Sequence, residues 1–193
     1  SIRRRQRQMC IRDSFITICG PEKKIKQIQK HAIKGDLLNY FMPMPKELND
    51  TTSPSSSADK PQPKIEGFDN WYDWRVHNWG TKWDIDVYTD AIRKPDPETI
   101  QFSFDSAWAP PIGAYEAIIE KHDDIGIVAT YYEPGCDFAG EWDNGQDACI
   151  SISDEDDKFF KDTSLGKLLD DEYGILESRE QYREERNAEV HNA

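Results

Sequence analysis

The chain of 193 residues is long enough to bury one core, and 37% hydrophobic content with a mean hydropathy of −0.82 leaves part of it solvated. A formal net charge of −13 argues against binding to a nucleic-acid phosphate backbone, which needs a basic surface. No apolar run approaches the roughly 18 residues of a membrane span, and Cys10, Cys19, Cys136 and Cys149 lack the C-x-x-C spacing of a zinc site or the density of a disulfide framework, which fits a reducing cytoplasm.

Ser1 to Ser14 is arginine-rich and almost without apolar periodicity, and it reads as a disordered end rather than a basic arm. Its Arg3-Arg4-Arg5-Gln6-Arg7-Gln8-Met9-Cys10-Ile11-Arg12-Asp13-Ser14 run resembles translated sequencing-adapter sequence, so it is kept out of the functional reading. Domain structure is expected from Phe15 to Ile152. Phe15-Ile16-Thr17-Ile18-Cys19 predicts a strand stopped by Gly20-Pro21, and Ile25, Ile28, Ala32 and Ile33 predict an amphipathic helix after it. Tyr40 to Pro45 is too proline-rich for a central strand and is expected as an edge segment. Residues 49–64 are low in complexity and predict an exposed loop.

The aromatic stretch from Asn70 to Asp84 holds four of the six tryptophans. Asp69 is expected to cap a helix there and Gly80 to end it, with Phe68, Tyr72, Val76 and Trp79 on one face. After Gly80 the period changes, and Trp83, Ile85 and Val87 alternate as the inward face of a strand. That strand is expected to pair antiparallel with Ile100, Phe102 and Phe104 across a long loop holding Pro95-Asp96-Pro97. Pro111 opens a second helix carrying Ile112, Tyr115, Ile118, Ile119 and His122. Ile125 to Tyr132 is the most apolar strand and is placed centrally. Phe138 to Trp142 and the alternating Ala148, Ile150 and Ile152 form a final hairpin across Asp143-Asn144-Gly145. Residues 153–193 are expected as an acidic, mostly helical extension, in which Phe159, Phe160, Leu165, Leu168 and Leu169 can pack one short amphipathic segment and Glu177 to Val190 form a solvated, highly charged helix.

Three motifs occur in order: Asn78-Trp79-Gly80-Thr81-Lys82-Trp83, Phe104-Asp105-Ser106-Ala107-Trp108-Ala109-Pro110-Pro111, and Tyr131-Tyr132-Glu133-Pro134-Gly135-Cys136-Asp137-Phe138-Ala139-Gly140-Glu141. With Met42-Pro43-Met44-Pro45-Lys46-Glu47-Leu48 ahead of them, they resemble the YubB-type ferredoxin-like domain of phages, plasmids and genomic islands. Members of that family begin with a short Trp-Cys-Asn segment, whose place is taken here by the arginine-rich stretch. The resemblance covers roughly Phe15 to Ile152 and implies an α+β fold, a ferredoxin-like α/β sandwich with an antiparallel sheet and helices on one face; the charged C-terminal helix that composition predicts follows it. The resemblance also implies a mobile-element protein in a bacterial host cytoplasm and brings no established activity.

Tryptophan is costly to bury unless its N–H finds a partner. Trp79, Trp83 and Trp108 stand beside polar residues, as the walls of a pocket for a flat, nucleotide-like ligand do. In that reading Arg75 or Lys82 holds a phosphate, Asn78 reads a base edge, and Thr81, Tyr131, Glu133 and Glu141 complete the rim. The alternative is that these indoles fill the core. Glu133 and Glu141 suit general acid–base chemistry only if they face each other, and no nucleophile accompanies them. His77 and His122 lack the H-x-T/S pattern of two-histidine phosphodiesterases, and Asp143 to Asp147 lacks calcium-loop spacing. The expectation is a non-enzymatic counter-defence protein, without metal or cofactor, that sequesters a small nucleotide-like ligand, with oligomers open. The alternative partner is a host defence protein met by the acidic C-terminal surface, and the third reading is a phosphodiesterase-like enzyme.

Overall fold

The computed structural model describes residues 11–107 and 109–191; Trp108, residues 192–193 and residues 1–10, on which most of the adapter-like run falls, lie outside them. Strand β1 (Ile11–Cys19) begins four residues before Phe15, so the end of the stretch read as disordered belongs to the sheet. It pairs antiparallel with both β4 (Thr99–Ala107) and β5 (Gly126–Glu133), which places the most apolar strand in the interior as its composition predicts. From β5 the sheet continues through β6 (Phe138–Asp143) and β7 (Gln146–Ser151). Their turn holds Asn144 and Gly145 at φ 44° and 99°, the left-handed pair that a two-residue hairpin requires. On the other side, β2 (Asp86–Val87) pairs with β4 in the expected antiparallel sense. The segment expected as a loop is instead β3 (Arg93–Asp96), which folds directly back on β4. Pro95 is tolerated because this is an outer strand with a register shift between Arg93 and Asp96. The order is β2-β4-β1-β5-β6-β7, with β3 also on β4.

Alternation divides the sheet into two faces. Ile16, Ile18, Phe102, Phe104, Ile127 and Trp142 point to the first and are buried. It is covered by α1 (Glu22–Lys34), α3 (Trp71–Trp79) and α4 (Ile112–Lys121), and for α1 and α4 the helical spacing of the apolar residues predicts the buried stripe. Ile25, Ile28 and Ala32 of α1 are buried, but Ile33 is 56% exposed. The segment expected at a sheet edge begins with a short helix, α2 (Leu37–Phe41). The Asp84 carboxylate accepts the backbone N–H groups of Leu38 (2.8 Å) and Asn39 (2.9 Å), supplying the cap that the local sequence lacks. Residues 49–64 hold a short turn at Ser55–Ser57, and Gln62 Nε2 donates to the Asp69 carbonyl at 3.1 Å, tying the loop to the start of α3.

The second face carries a smaller cluster of Ala139, Phe160, Leu169 and Ile175, flanked by Tyr132 and Ile150. It belongs to α5 (Asp157–Asp162), α6 (Ser164–Tyr173) and α7 (Ile175–His191). The C-terminal part is therefore docked on the sheet, and Tyr173 both stacks on Tyr132 (centroids 5.3 Å apart) and meets Thr130 Oγ1 at 3.0 Å. Of the described residues of the charged stretch from Glu177, all to 188 but Arg179 are exposed, as its composition suggests. Asp156 caps α5 by accepting the Phe159 N–H, and Thr163 caps α6 by accepting the Gly166 N–H, each at 2.9 Å.

Asp157 anchors α7 through Arg183 (2.8 Å) and Arg179 (3.1 Å). Hydrogen bonds from these guanidiniums, Arg183 first, hold its carboxyl well below the ordinary 3.8. A carboxyl depressed by folding contributes stability at pH above 3.8 that is lost as pH falls toward the folded-state value. Asp157→Asn should therefore lower the melting temperature at neutral pH and flatten its fall on acidification below pH 3.8, read by thermal melts across that range.

Candidate functional site

The aromatic stretch folds as a helix for reasons partly different from those expected. Asn70, not Asp69, is the N-cap: its side-chain oxygen accepts the Asp73 N–H at 2.9 Å. Asp69 instead accepts from Ser55 Oγ and Asn70 Nδ2. Gly80 ends the helix at φ 75°, as predicted. The inward face is Trp74 and Trp79, with Trp71, Arg75 and Asn78 alongside, while Val76 is 42% exposed. Phase counted from Phe68, which precedes the helix, misassigned the stripe.

Trp79 is 1% exposed, and its Nε1–H donates to the Met42 carbonyl at 3.0 Å. Trp74 crosses it edge-on at 5.8 Å and donates to Glu66 Oε2 at 2.9 Å. Trp142 is fully buried against Tyr115. Trp79, expected as a pocket wall, is thus enclosed by its neighbours. Thr81 is also buried: its Oγ1 donates to the Ala107 carbonyl at 3.0 Å and accepts the Ala107 N–H at 3.2 Å, riveting the Gly80 turn to β4. Asn78 spends its amide on the Trp74 carbonyl at 2.9 Å.

Trp83 does not face the core. Strand pairing begins only at Asp86, so inward alternation holds for Ile85 and Val87 and not for Trp83, which is 50% exposed. Its indole stacks on Trp71, with centroids 5.1 Å apart and planes 22° from parallel. The Lys82 ammonium lies 5.6 Å from the Trp83 ring centre. The Arg75 guanidinium lies 5.2 Å from the Trp71 ring and 5.0 Å from the Trp79 ring, in reach of cation–π attraction to both. Its Nε is buried without a hydrogen-bond partner among the described residues. Burial lowers the Arg75 pKa against the opposing charge of Asp84. Burial likewise pushes the Asp84 carboxyl up, although three backbone N–H groups hold it. Trp71, Arg75, Lys82 and Trp83 thus form a ledge of stacked indoles and cations. Trp71 was missed as a site residue, although it stands one helical turn before Arg75.

Tyr131, Glu133 and Glu141 belong to a different part of the sheet. Tyr131 is 1% exposed and its hydroxyl donates to Asp147 Oδ1 at 2.6 Å; burial, reinforced by Asp147, pushes its pKa far up. Glu133 is 6% exposed and its Oε1 accepts the Gly135 N–H at 3.0 Å, closing the turn after β5. Glu141 lies opposite Thr130 and so on the face away from Tyr131 and Gly140. Its carboxyl is pushed up by burial and then by Asp143. The two glutamates therefore do not form a facing acid–base pair. His77 packs on Phe68, while His122 sits with Phe41 and Lys24, so the histidines do not converge. Among the described residues no group of three or more His, Cys, Asp or Glu side chains is placed to hold a metal.

Open hollows lie elsewhere, among them one of about 410 Å³ in the loop around Glu47, Thr52 and Gln62, and one of about 670 Å³ beside α7, lined by Tyr132, Ile152, Arg179 and Tyr182. Among the described residues no helix is long and apolar enough to cross a membrane.

Residues 82–190 match the family of the ferredoxin-like domain in Api92-like protein, and the chain belongs to that family. The match takes in β2 to β7 and the C-terminal helices, and of the ledge it includes Lys82 and Trp83. No curated protein and no solved structure matches the chain.

Proposed function

We propose that the protein is a non-enzymatic accessory protein that binds a small, flat, anionic ligand of nucleotide type on the ledge of Trp71, Arg75, Lys82 and Trp83. The observation that carries this reading is the half-exposed Trp83 indole, stacked on Trp71 beside two cations in a chain whose other described indoles at 74, 79 and 142 are buried. A base stacks on an exposed indole for about 1–3 kcal/mol, and phosphate oxygens take Lys82 or Arg75. The ligand is held on an open shelf rather than enclosed. Asn78, Thr81 and Trp79 support that shelf from within, and Tyr131, Glu133 and Glu141 take no part in it. The likeness of its motifs to the YubB-type domain supports a phage or mobile-element setting, in which sequestering a host signal nucleotide in the bacterial cytoplasm would counter defence.

A thermal-shift panel of cyclic nucleotides and ADP-ribose derivatives tests this. A ligand at a hundred times its Kd should add about 2.7 kcal/mol of stability. Trp83→Ala should weaken binding roughly 5- to 150-fold, the equivalent of the lost stacking, while leaving the free protein folded. No stabilising ligand in the panel, or binding undiminished by Trp83→Ala, would overturn the reading. The formal charge of −13 favours a second reading, an acidic inhibitor of a basic host defence protein. Its mark is partner binding that weakens steeply with salt and survives Trp83→Ala.

A further inference from the structure

The two edges of the sheet are built differently. One carries β2, two residues long, and β3, whose Arg93-Lys94-Pro95-Asp96 sequence and shifted register blunt it against further pairing. The other is β7, Gln146-Asp147-Ala148-Cys149-Ile150-Ser151, which has no proline, lysine or arginine and pairs with β6 in unbroken register. Gln146, Asp147, Ala148 and Cys149 are all exposed. Because the β6–β7 turn has two residues, the pair next to it, Asp143 and Gln146, exchanges hydrogen bonds, and alternation then turns the backbone groups of Asp147, Cys149 and Ser151 outward.

We propose that this edge is a dimerisation surface on which β7 of a second copy of the chain pairs antiparallel, joining two sheets into one. The strand is self-complementary in one register. With Cys149 on the twofold axis, Cys149 faces its own copy and Asp147 faces Ser151 of the other chain, so Asp147, Cys149 and Ser151 each exchange both backbone groups. The neighbouring registers leave one of these residues unpaired. This register also sets Ala148 against Ile150 and keeps the two Asp147 carboxylates out of direct opposition. Each Asp147 is in addition engaged by the Tyr131 hydroxyl of its own chain at 2.6 Å. Repulsion between two chains of charge −13 opposes the pairing through solvent, so association strengthens as salt is raised.

Sedimentation velocity over a range of concentration and salt, on the full chain, reads the equilibrium. The expected result is a monomer–dimer equilibrium that shifts toward dimer with salt. Cys149→Pro removes an outward N–H without touching the β6 pairing and should raise the dimer Kd at least about tenfold. Cys149→Lys keeps the backbone and sets two ammonium groups opposite each other on the axis. It should weaken the dimer similarly, with the circular dichroism of the monomer unchanged. Cα atoms of a hydrogen-bonded antiparallel pair are about 5.5 Å apart, so a short bis-maleimide should join two chains through Cys149, and Cys149→Ser should abolish that product. A protein that stays monomeric at every concentration and salt, or a dimer indifferent to both Cys149→Pro and Cys149→Lys, overturns the proposal; the first leaves the edge to a strand of another protein.

Discussion

Replacing Trp79 with alanine is expected to cost about 3–5 kcal/mol of folding stability, enough to unfold a marginal domain. The indole is 1% exposed, and it is wedged between Trp74 and the Arg75 guanidinium. Truncation leaves a cavity that α3 and the sheet cannot both close. It also strips the Met42 carbonyl of its donor, a loss of roughly 1 kcal/mol or more for a buried acceptor. Urea denaturation of Trp79→Ala measures the loss. Trp83→Ala, on the same stretch of chain, should cost well under that because the ring is half in water. A Trp79→Ala protein as stable as the parent would mean that this indole does not fill the core.

Gly166→Ala is the second large effect, and there two terms oppose each other. Alanine is favoured over glycine in a helix by about 1 kcal/mol. Against it, a Cβ on residue 166 would lie 2.2 Å from the Phe159 carbonyl oxygen and 2.7 Å from the Phe160 Cα. Both are backbone atoms of α5, so no side chain can swing away, and α5 and α6 must separate. Overpacking of this kind costs about 1–3 kcal/mol or more, so the clash wins. The variant should melt earlier and lose protection from hydrogen exchange first at Phe160, Leu169 and the strand positions beneath them. A neutral or stabilising substitution would show that α6 does not sit on α5 as described.

The sheet was largely legible from alternation, because Ile100, Phe102 and Phe104, then Ile127 and Ala129, are inward residues on long interior strands. The misreadings share a physical origin: the deciding partner lies far along the chain. Helix α2 depends on Asp84, 46 residues after Leu38, for its cap. Trp83 looked inward because it shares the parity of Ile85 and Val87, yet pairing with β4 starts only at Asp86. Phe160 and Leu169 were legible as members of an amphipathic segment, but their docking, with Ile175, on Ala139 of the sheet was not. At the site, the sequence placed Arg75, Lys82 and Trp83 near one another. It did not distinguish the exposed ring at Trp83 from the enclosed one at Trp79, because both stand among polar residues and only tertiary packing separates them.

The ledge is tested most directly by the indole N–H resonances of the tryptophans, recorded by two-dimensional NMR as a nucleotide that stabilises the protein is titrated in. The Trp83 and Trp71 signals should move along the binding curve while those of Trp79 and Trp142 stay in place. Movement of the Trp79 or Trp142 signals with Trp83 unmoved would contradict binding on the ledge.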